Sequence, residues 1–147
     1  MDKLKIKLMR ENAKMPKVMS DGAAGFDLFA CIEKPVEILP SSLHMIPTGI
    51  AIQLPDSDHA ALIYARSGLA VKHGITLSNC VGVIDSDYRG EIMVGLCNIS
   101  DKAYTIEPNE RIAQMVITPI CRMETEQVKE LDDTDRGAGG FGSTGRA

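Results

Sequence analysis

At 147 residues the chain suffices for one domain with a buried core and leaves no room for a second. Aromatic residues make up 4% and Trp is absent, so Val, Ile, Leu and Met must fill an aliphatic core of the kind that packed sheets build. A formal net charge of −4 excludes an undirected nucleic-acid or membrane surface, which needs a basic excess, so any phosphate site must be local.

Lys3 to Met9 alternates Lys3, Lys5 and Lys7 with Leu4, Ile6 and Leu8, the period of a half-buried strand whose charged face protects an edge. After Pro16 and the Ser20-Asp21-Gly22 break, Ala23 to Ala30 predicts a strand with one acid, Asp27, among apolar residues. A lone Asp fits an exposed edge as well as a functional role. Pro35, Pro40 and Pro47 bracket short runs, and Ile50, Ile52 and Leu54 alternate before the Pro55-Asp56-Ser57-Asp58 turn. Ala60 to Tyr64 is another apolar run. It leads into Ala65-Arg66-Ser67-Gly68-Leu69-Ala70-Val71-Lys72-His73-Gly74, which suits either a phosphate grip made of cation, hydroxyl and free amide or a short capped helix with a solvated Arg.

Val81 to Ile92 carries the densest signal. Val81, Val83 and Ile84 are β-branched, Asp85 to Gly90 are turn formers around Tyr88 and Arg89, and Glu91-Ile92 restarts the alternation, which predicts a β-hairpin. Ile92 to Cys97 is expected to be a strand buried on both faces, Tyr104-Thr105-Ile106 a short strand, and Arg111 to Ile117 a strand. Gln114, inside that last apolar run, needs a partner if buried, the simplest being backbone. Glu124 to Asp135 sets six carboxylates against Lys129, a solvated linker, and Arg136 to Gly145 is too glycine-rich for core.

Helical periodicity is weak throughout and short strands lie between Pro and Gly punctuation. The predicted fold is all-β, a jelly-roll or β-sandwich, with residues 1–123 as the domain and 124–147 as acidic linker and tail. Cys31, Cys80, Cys97 and Cys121 form no C-x-x-C pair and are expected to be buried free thiols. The N-terminal residues lack the apolar run of a secretory signal and no run is long enough to span a bilayer, so a cytoplasmic protein is expected, with the nucleus as the alternative.

Gly137 to Gly142 spells G-x-G-x-x-G, yet it follows an acidic run rather than a strand and has no acid about 20 residues on, so a dinucleotide fold is not expected. What remains is Arg66 with Ser67, Arg111 with Gln114, Arg136 with Ser143 and Thr144, and the carboxylates Asp27 and Asp85. Three cationic points in an acidic chain fit a polyphosphate ligand, accompanied by Mg²⁺ that takes phosphate oxygens and keeps most of its waters.

Five segments in order resemble the motifs of the homotrimeric dUTPase family. They are Ala24-Gly25-Phe26-Asp27-Leu28, Arg66-Ser67-Gly68-Leu69-Ala70, Gly82 to Glu91, Arg111-Ile112-Ala113-Gln114, and Arg136 to Gly145. The likeness reads as nearest to the eukaryotic and large-DNA-virus branch. It implies a distorted jelly-roll trimer with shared active sites, which hydrolyses dUTP to dUMP and pyrophosphate with Mg²⁺, limits uracil in DNA and supplies dUMP for thymidylate synthesis. It implies that Asp85 orients the water that attacks the α-phosphorus. Asn79 and the backbone of Gly82 and Ile84 would read uracil, and Tyr88 would lie where a 2′-hydroxyl would clash. Arg66, Ser67, Gly68 and Gln114 would hold phosphates and Asp27 a water of the Mg²⁺ shell. Phe141 would close over uracil, beside Gly142, with Arg136, Ser143 and Thr144 on the γ-phosphate. Ala65 replaces the family's usual Pro and Phe26 its frequent Tyr. A dCTP deaminase shares the architecture, and a non-catalytic trimer that binds nucleotide or a partner is the rival of another class. No direct nucleic-acid or membrane contact is expected.

Overall fold

The computed structural model describes residues 3–140. Its chain runs β1 (Lys5–Leu8), β2 (Phe26–Phe29), β3 (Val36–Ile38), β4 (Leu43–Pro47), β5 (Ile50–Gln53), β6 (His59–Ala65), α1 (Ser67–His73), β7 (Ile75–Leu77), β8 (Val81–Ile84), β9 (Met93–Asn98), β10 (Tyr104–Ile106) and β11 (Arg111–Pro119). All pairings between these strands are antiparallel. The sheets are β2-β11-β6-β8, β4-β9-β7 and the two-stranded β1-β5 and β10-β3, so the all-β jelly-roll expectation holds.

Every sheet gives aliphatic side chains to one core: Leu28, Ile38, Ile46, Ile50, Leu96 and Met115 are all at most 1% exposed. The four-stranded sheet positions most of the candidate site. Asp27 pairs with Gln114, Gln114 with Tyr64 and Tyr64 with Val81, which makes one row across four strands. Side chains alternate between faces along a strand, so the neighbouring Leu28, Ala113 and Ala65 turn inward while Asp27 and Gln114 turn outward.

The hairpin expected over Val81–Ile92 is not formed. β8 pairs with β6, whereas β9 pairs with β4 and β7 in another sheet. Period two identifies a strand without naming its partner. Here Ile92, whose N–H donates to Ile50 O at 2.8 Å and whose carbonyl accepts from Thr48 Oγ1 at 2.6 Å, draws the chain into the second sheet. The opened unit is β7–β8: its two strands also lie in different sheets, joined by a turn in which Cys80 N–H donates to Leu77 O.

β9 is not buried on both faces either. Val94, Leu96 and Asn98 point inward, while Met93 is exposed and Gly95 and Cys97 are half-buried. The expectation of buried thiols holds for Cys31 alone, which packs beside Gly49; Cys97 is half-buried on the outer face of β9, and Cys80 and Cys121 are exposed, in the β7–β8 turn and after β11. Residues 120–140 form no strand or helix.

Candidate active site

Asp27 sits on β2, an outer strand of its sheet, yet it is only 8% exposed. Two guanidinium groups cover it. Arg66 Nε lies 3.3 Å from Asp27 Oδ1, and Arg111 Nη1 donates to Asp27 Oδ2 at 3.1 Å. Arg66 also donates through Nη1 to the Arg111 carbonyl at 3.3 Å. β11 carries a register shift between Arg111 and Ala113 where it pairs with β2, beside this cluster. Two cations against one carboxylate leave an uncompensated positive charge, the condition for holding a phosphate oxygen.

Of the two readings of the Arg66 to Gly74 segment, the short helix is formed, but its Arg66 is paired with Asp27 instead of solvated. The helix is α1, with Arg66 at the N-cap making no side-chain cap bond and Gly74 closing it in the left-handed region at φ 68°. Ser67 and Gly68 are exposed in its first turn. Gln114 Nε2 donates to the Ala65 carbonyl at 3.0 Å, so its backbone partner is the end of β6, just before that segment. Asp27, Arg66, Ser67, Arg111 and Gln114 together line one recess of about 290 Å³.

Asn79, Gly82, Ile84, Asp85 and Tyr88 form a second group. Asn79 is exposed in the β7–β8 turn. A Cβ placed on Gly82 would lie 3.1 Å from Ile63 Cβ, so glycine lets β8 lie close against β6, with the Asn79 amide on the same side. Ile84 ends β8, and Asp85 follows it, exposed, into a recess of about 450 Å³ shared with Ser57, His59, Asp87 and Arg122. His59 Nδ1, 2.6 Å from Asp56, holds that carboxyl below its ordinary range at the rim. Tyr88 is 44% exposed, and its hydroxyl donates to the Glu91 carbonyl at 3.1 Å.

The two groups are apart within one chain. Asp27 and Val81 lie three strand steps apart, about 14 Å, and Asp85 is four residues past Val81, just beyond the end of β8, which gives roughly 20 Å in all. Arg136 lines neither recess; its Nε donates to Gly139 O at 2.9 Å within a local turn. Phe141, Gly142, Ser143 and Thr144 lie outside the described residues. A further recess of about 980 Å³ beside Arg10, Asn12 and Cys31 is lined by no candidate residue.

No group of three or more His, Cys, Asp or Glu among the described residues could hold a metal. Asp27 has two oxygens with about four acceptor positions, two of them facing Arg66 and Arg111, so it retains capacity to accept from a metal-bound water. That donor set fits an ion carried in on phosphates and does not fit a protein cage.

Sequence reasoning gave Arg111 no partner and overlooked Glu91. The signal for the first was Asp27 itself, a carboxylate amid apolar residues that burial would oblige to pair.

An all-β domain that presents an arginine–carboxylate cluster on one sheet face and an opened strand pair beside a free carboxylate has the parts of a nucleotide-handling protein. The dUTPase family model matches residues 11–145. Relatives named deoxyuridine 5'-triphosphate nucleotidohydrolase include those of Serratia proteamaculans, 51% identical over 90% of this chain and 87% of that protein, and Ralstonia pickettii, 48% identical over 98% and 99%. The structure is similar to that of Staphylococcus bacteriophage 80alpha dUTPase with dUpNHpp, at 30% identity and TM-score 0.88, covering 99% of this chain and 100% of that one. It is also similar to a dUTPase from phage phi11 of S. aureus, described with a structural Mg(II) ion, at 25% identity and TM-score 0.80 over 90% and 100%. The chain belongs to the dUTPase family. The expected leaning toward the eukaryotic and large-DNA-virus branch is not borne out, since these sequence relatives are bacterial.

Proposed function

We propose that the protein hydrolyses dUTP to dUMP and pyrophosphate in a homotrimer whose sites combine residues from different chains. The observation that carries the shared site is the split of the candidate residues: a triphosphate spans far less than the roughly 20 Å between the Asp27–Arg66 group and Asp85. Symmetric assembly brings one chain's first group against another chain's second group.

In this reading the opened β7–β8 pair offers the backbone of Gly82 and Ile84, together with the Asn79 amide, to the edge of uracil, whose polar groups would otherwise go unpaired. Tyr88 lies against the deoxyribose and leaves no room for a 2′-hydroxyl. Asp85, at the end of β8, accepts a hydrogen bond from the water that attacks the α-phosphorus in line with the departing pyrophosphate, and takes up its proton. Arg66, Ser67, Gly68 and Gln114 grip the phosphate chain and hold its charge in a fixed arrangement. Asp27 would hold a Mg²⁺ ion through a water, and the ion would supply positive charge that offsets the charge on the leaving group. Residues 1–123 form the domain, and 124–147 form an arm that closes over the site, with Phe141 on the base, Gly142 beside it and Arg136, Ser143 and Thr144 on the γ-phosphate, excluding bulk water.

The test is to incubate the protein with Mg²⁺ and, separately, dUTP, dCTP, dTTP and UTP. Formation of dUMP and pyrophosphate from dUTP alone, abolished in Asp85→Asn, is the expected result. Turnover of dCTP to dUTP would favour a deaminase, and binding without turnover of any nucleotide a non-catalytic trimer.

A further inference from the structure

We propose that Glu91 positions Tyr88 for sugar discrimination and that Arg10, from the turn after β1, holds Glu91 in place. The inference rests on the reading of Tyr88 given above and extends it to two residues that touch no substrate.

Tyr88 has little else to fix it. It is an exposed side chain in an exposed turn, closed by its own N–H donating to Asp85 O at 3.2 Å. Arg89 ties that turn only to itself, through Nη1 to the Ser86 and Tyr88 carbonyls. The phenol ring folds back over Gly90, so closely that a Cβ there would overlap the ring. Its hydroxyl ends on the Glu91 carbonyl at 3.1 Å. The orientation of the ring therefore follows the position of the Glu91 backbone.

Glu91 is anchored from both sides. Its carboxylate receives Arg10 as a two-pronged fork, Nε to Oε1 and Nη2 to Oε2, each at 2.8 Å, and Oε1 also accepts the Gly49 N–H at 2.9 Å. A fork of this kind fixes orientation as well as distance. Gly49 is itself tied to the chain after β1, its carbonyl accepting from Met9 N–H at 2.7 Å, and its place requires glycine, since it sits in the left-handed region at φ 73° and a Cβ on it would lie 2.6 Å from Cys31 Sγ. The next residue, fully buried Ile92, is bonded to Thr48 and Ile50. Tyr88 thus hangs on a carbonyl whose place is set by Arg10 and the β4–β5 turn. With three donors on its carboxylate, Glu91 acts through Tyr88 rather than on the ligand.

The experiment compares kcat/KM for dUTP and for UTP in the full-length assembled wild type, Tyr88→Ala, Glu91→Gln, Arg10→Ala and Arg10→Lys. The dUTP-to-UTP ratio is expected to fall at least about threefold in Glu91→Gln and Arg10→Ala, in the same direction as in Tyr88→Ala. Arg10→Lys should recover part of it, because a lysine meets one carboxylate oxygen but cannot make the fork. A ratio that stays at the wild-type value in Glu91→Gln and Arg10→Ala, while Tyr88→Ala lowers it, overturns the inference. So does an equal loss on both substrates, the mark of a purely structural role. An unchanged ratio in Tyr88→Ala removes the reading of Tyr88 itself, and the inference with it.

Discussion

Asp27 and Arg66 meet with Oδ1 3.3 Å from Nε, across the mouth of the α1 turn, and the same carboxylate takes Arg111 at 3.1 Å. One acid thereby fixes two cations supplied by different elements. Removing the acid leaves the guanidiniums facing each other without a counter-charge. Asp27→Ala should destabilise the fold by about 2 kcal/mol, below the cost of breaking a fully buried pair because the two arginines keep solvent contact. Arg66→Ala should cost less, since Arg111 still pairs with Asp27. Urea denaturation of both variants without nucleotide checks the order; equal stability of Asp27→Ala and wild type would remove the acid from this role.

The distance between the two candidate groups makes a second prediction. In the proposed trimer, assemblies made wholly of Asp85→Asn or wholly of Arg66→Ala chains should each be nearly inactive. Co-assembled in equal amounts, half the chains offer an intact Asp85 and half an intact Arg66, so about one quarter of the sites carry both if the two come from different chains. Recovered activity near that fraction in verified mixed trimers is expected. No recovery would mean that each site lies within a single chain.

Most strands were legible: β1, β2 and β10 lie within the runs that predict them, and β6 and β11 contain their runs and extend two residues beyond them. Partner choice was not. Val81–Ile92 has the composition of a hairpin, but the period is blind to the Thr48–Ile92 and Ile50–Ile92 bonds that divert β9. The same limit hid the site's geometry. Asp27, Arg66, Gln114, Asn79, Asp85 and Tyr88 are recognisable by type and by their order in the chain, whereas the Arg111–Asp27 bond closes across 84 residues and nothing local announces it. That the residues form two groups instead of one follows from strand order β2-β11-β6-β8, a property of the sheet that no segment carries alone.

The Arg10 fork on Glu91 should show in acid. Hydrogen bonds from Arg10 hold the Glu91 carboxyl below its ordinary value of 4.5. A depressed carboxyl contributes stability that is complete above the unfolded value and is lost as pH falls through the folded one. The stability difference between wild type and Arg10→Ala should therefore be constant near neutral pH and shrink below about pH 4.5. Denaturation curves across that range check it, and a pH-independent difference would place the contribution of Arg10 outside the ion pair.

At the other end of the scale, Tyr104 should govern alkaline stability. Its hydroxyl donates to Glu110 Oε1 at 2.6 Å and its ring lies 4.7 Å from that of His73, which ties α1 to the turn before β11. Burial, reinforced by Glu110, pushes the phenol up to about 12 from an ordinary 10.0. A raised value means that the folded state holds the proton more tightly than the unfolded one. The contribution is thus fully present below the unfolded value of 10.0 and is lost as pH rises to about 12. Of the three tyrosines, one should ionise only as the fold opens, visible as a late phenolate absorbance step that coincides with loss of β-sheet signal. Tyr104→Phe should abolish that late step and leave a shallower alkaline decline, from a lower starting stability because Glu110 loses its donor. If the step persists in Tyr104→Phe, another group sets the alkaline limit and the tie between α1 and the β11 turn does not depend on the phenol.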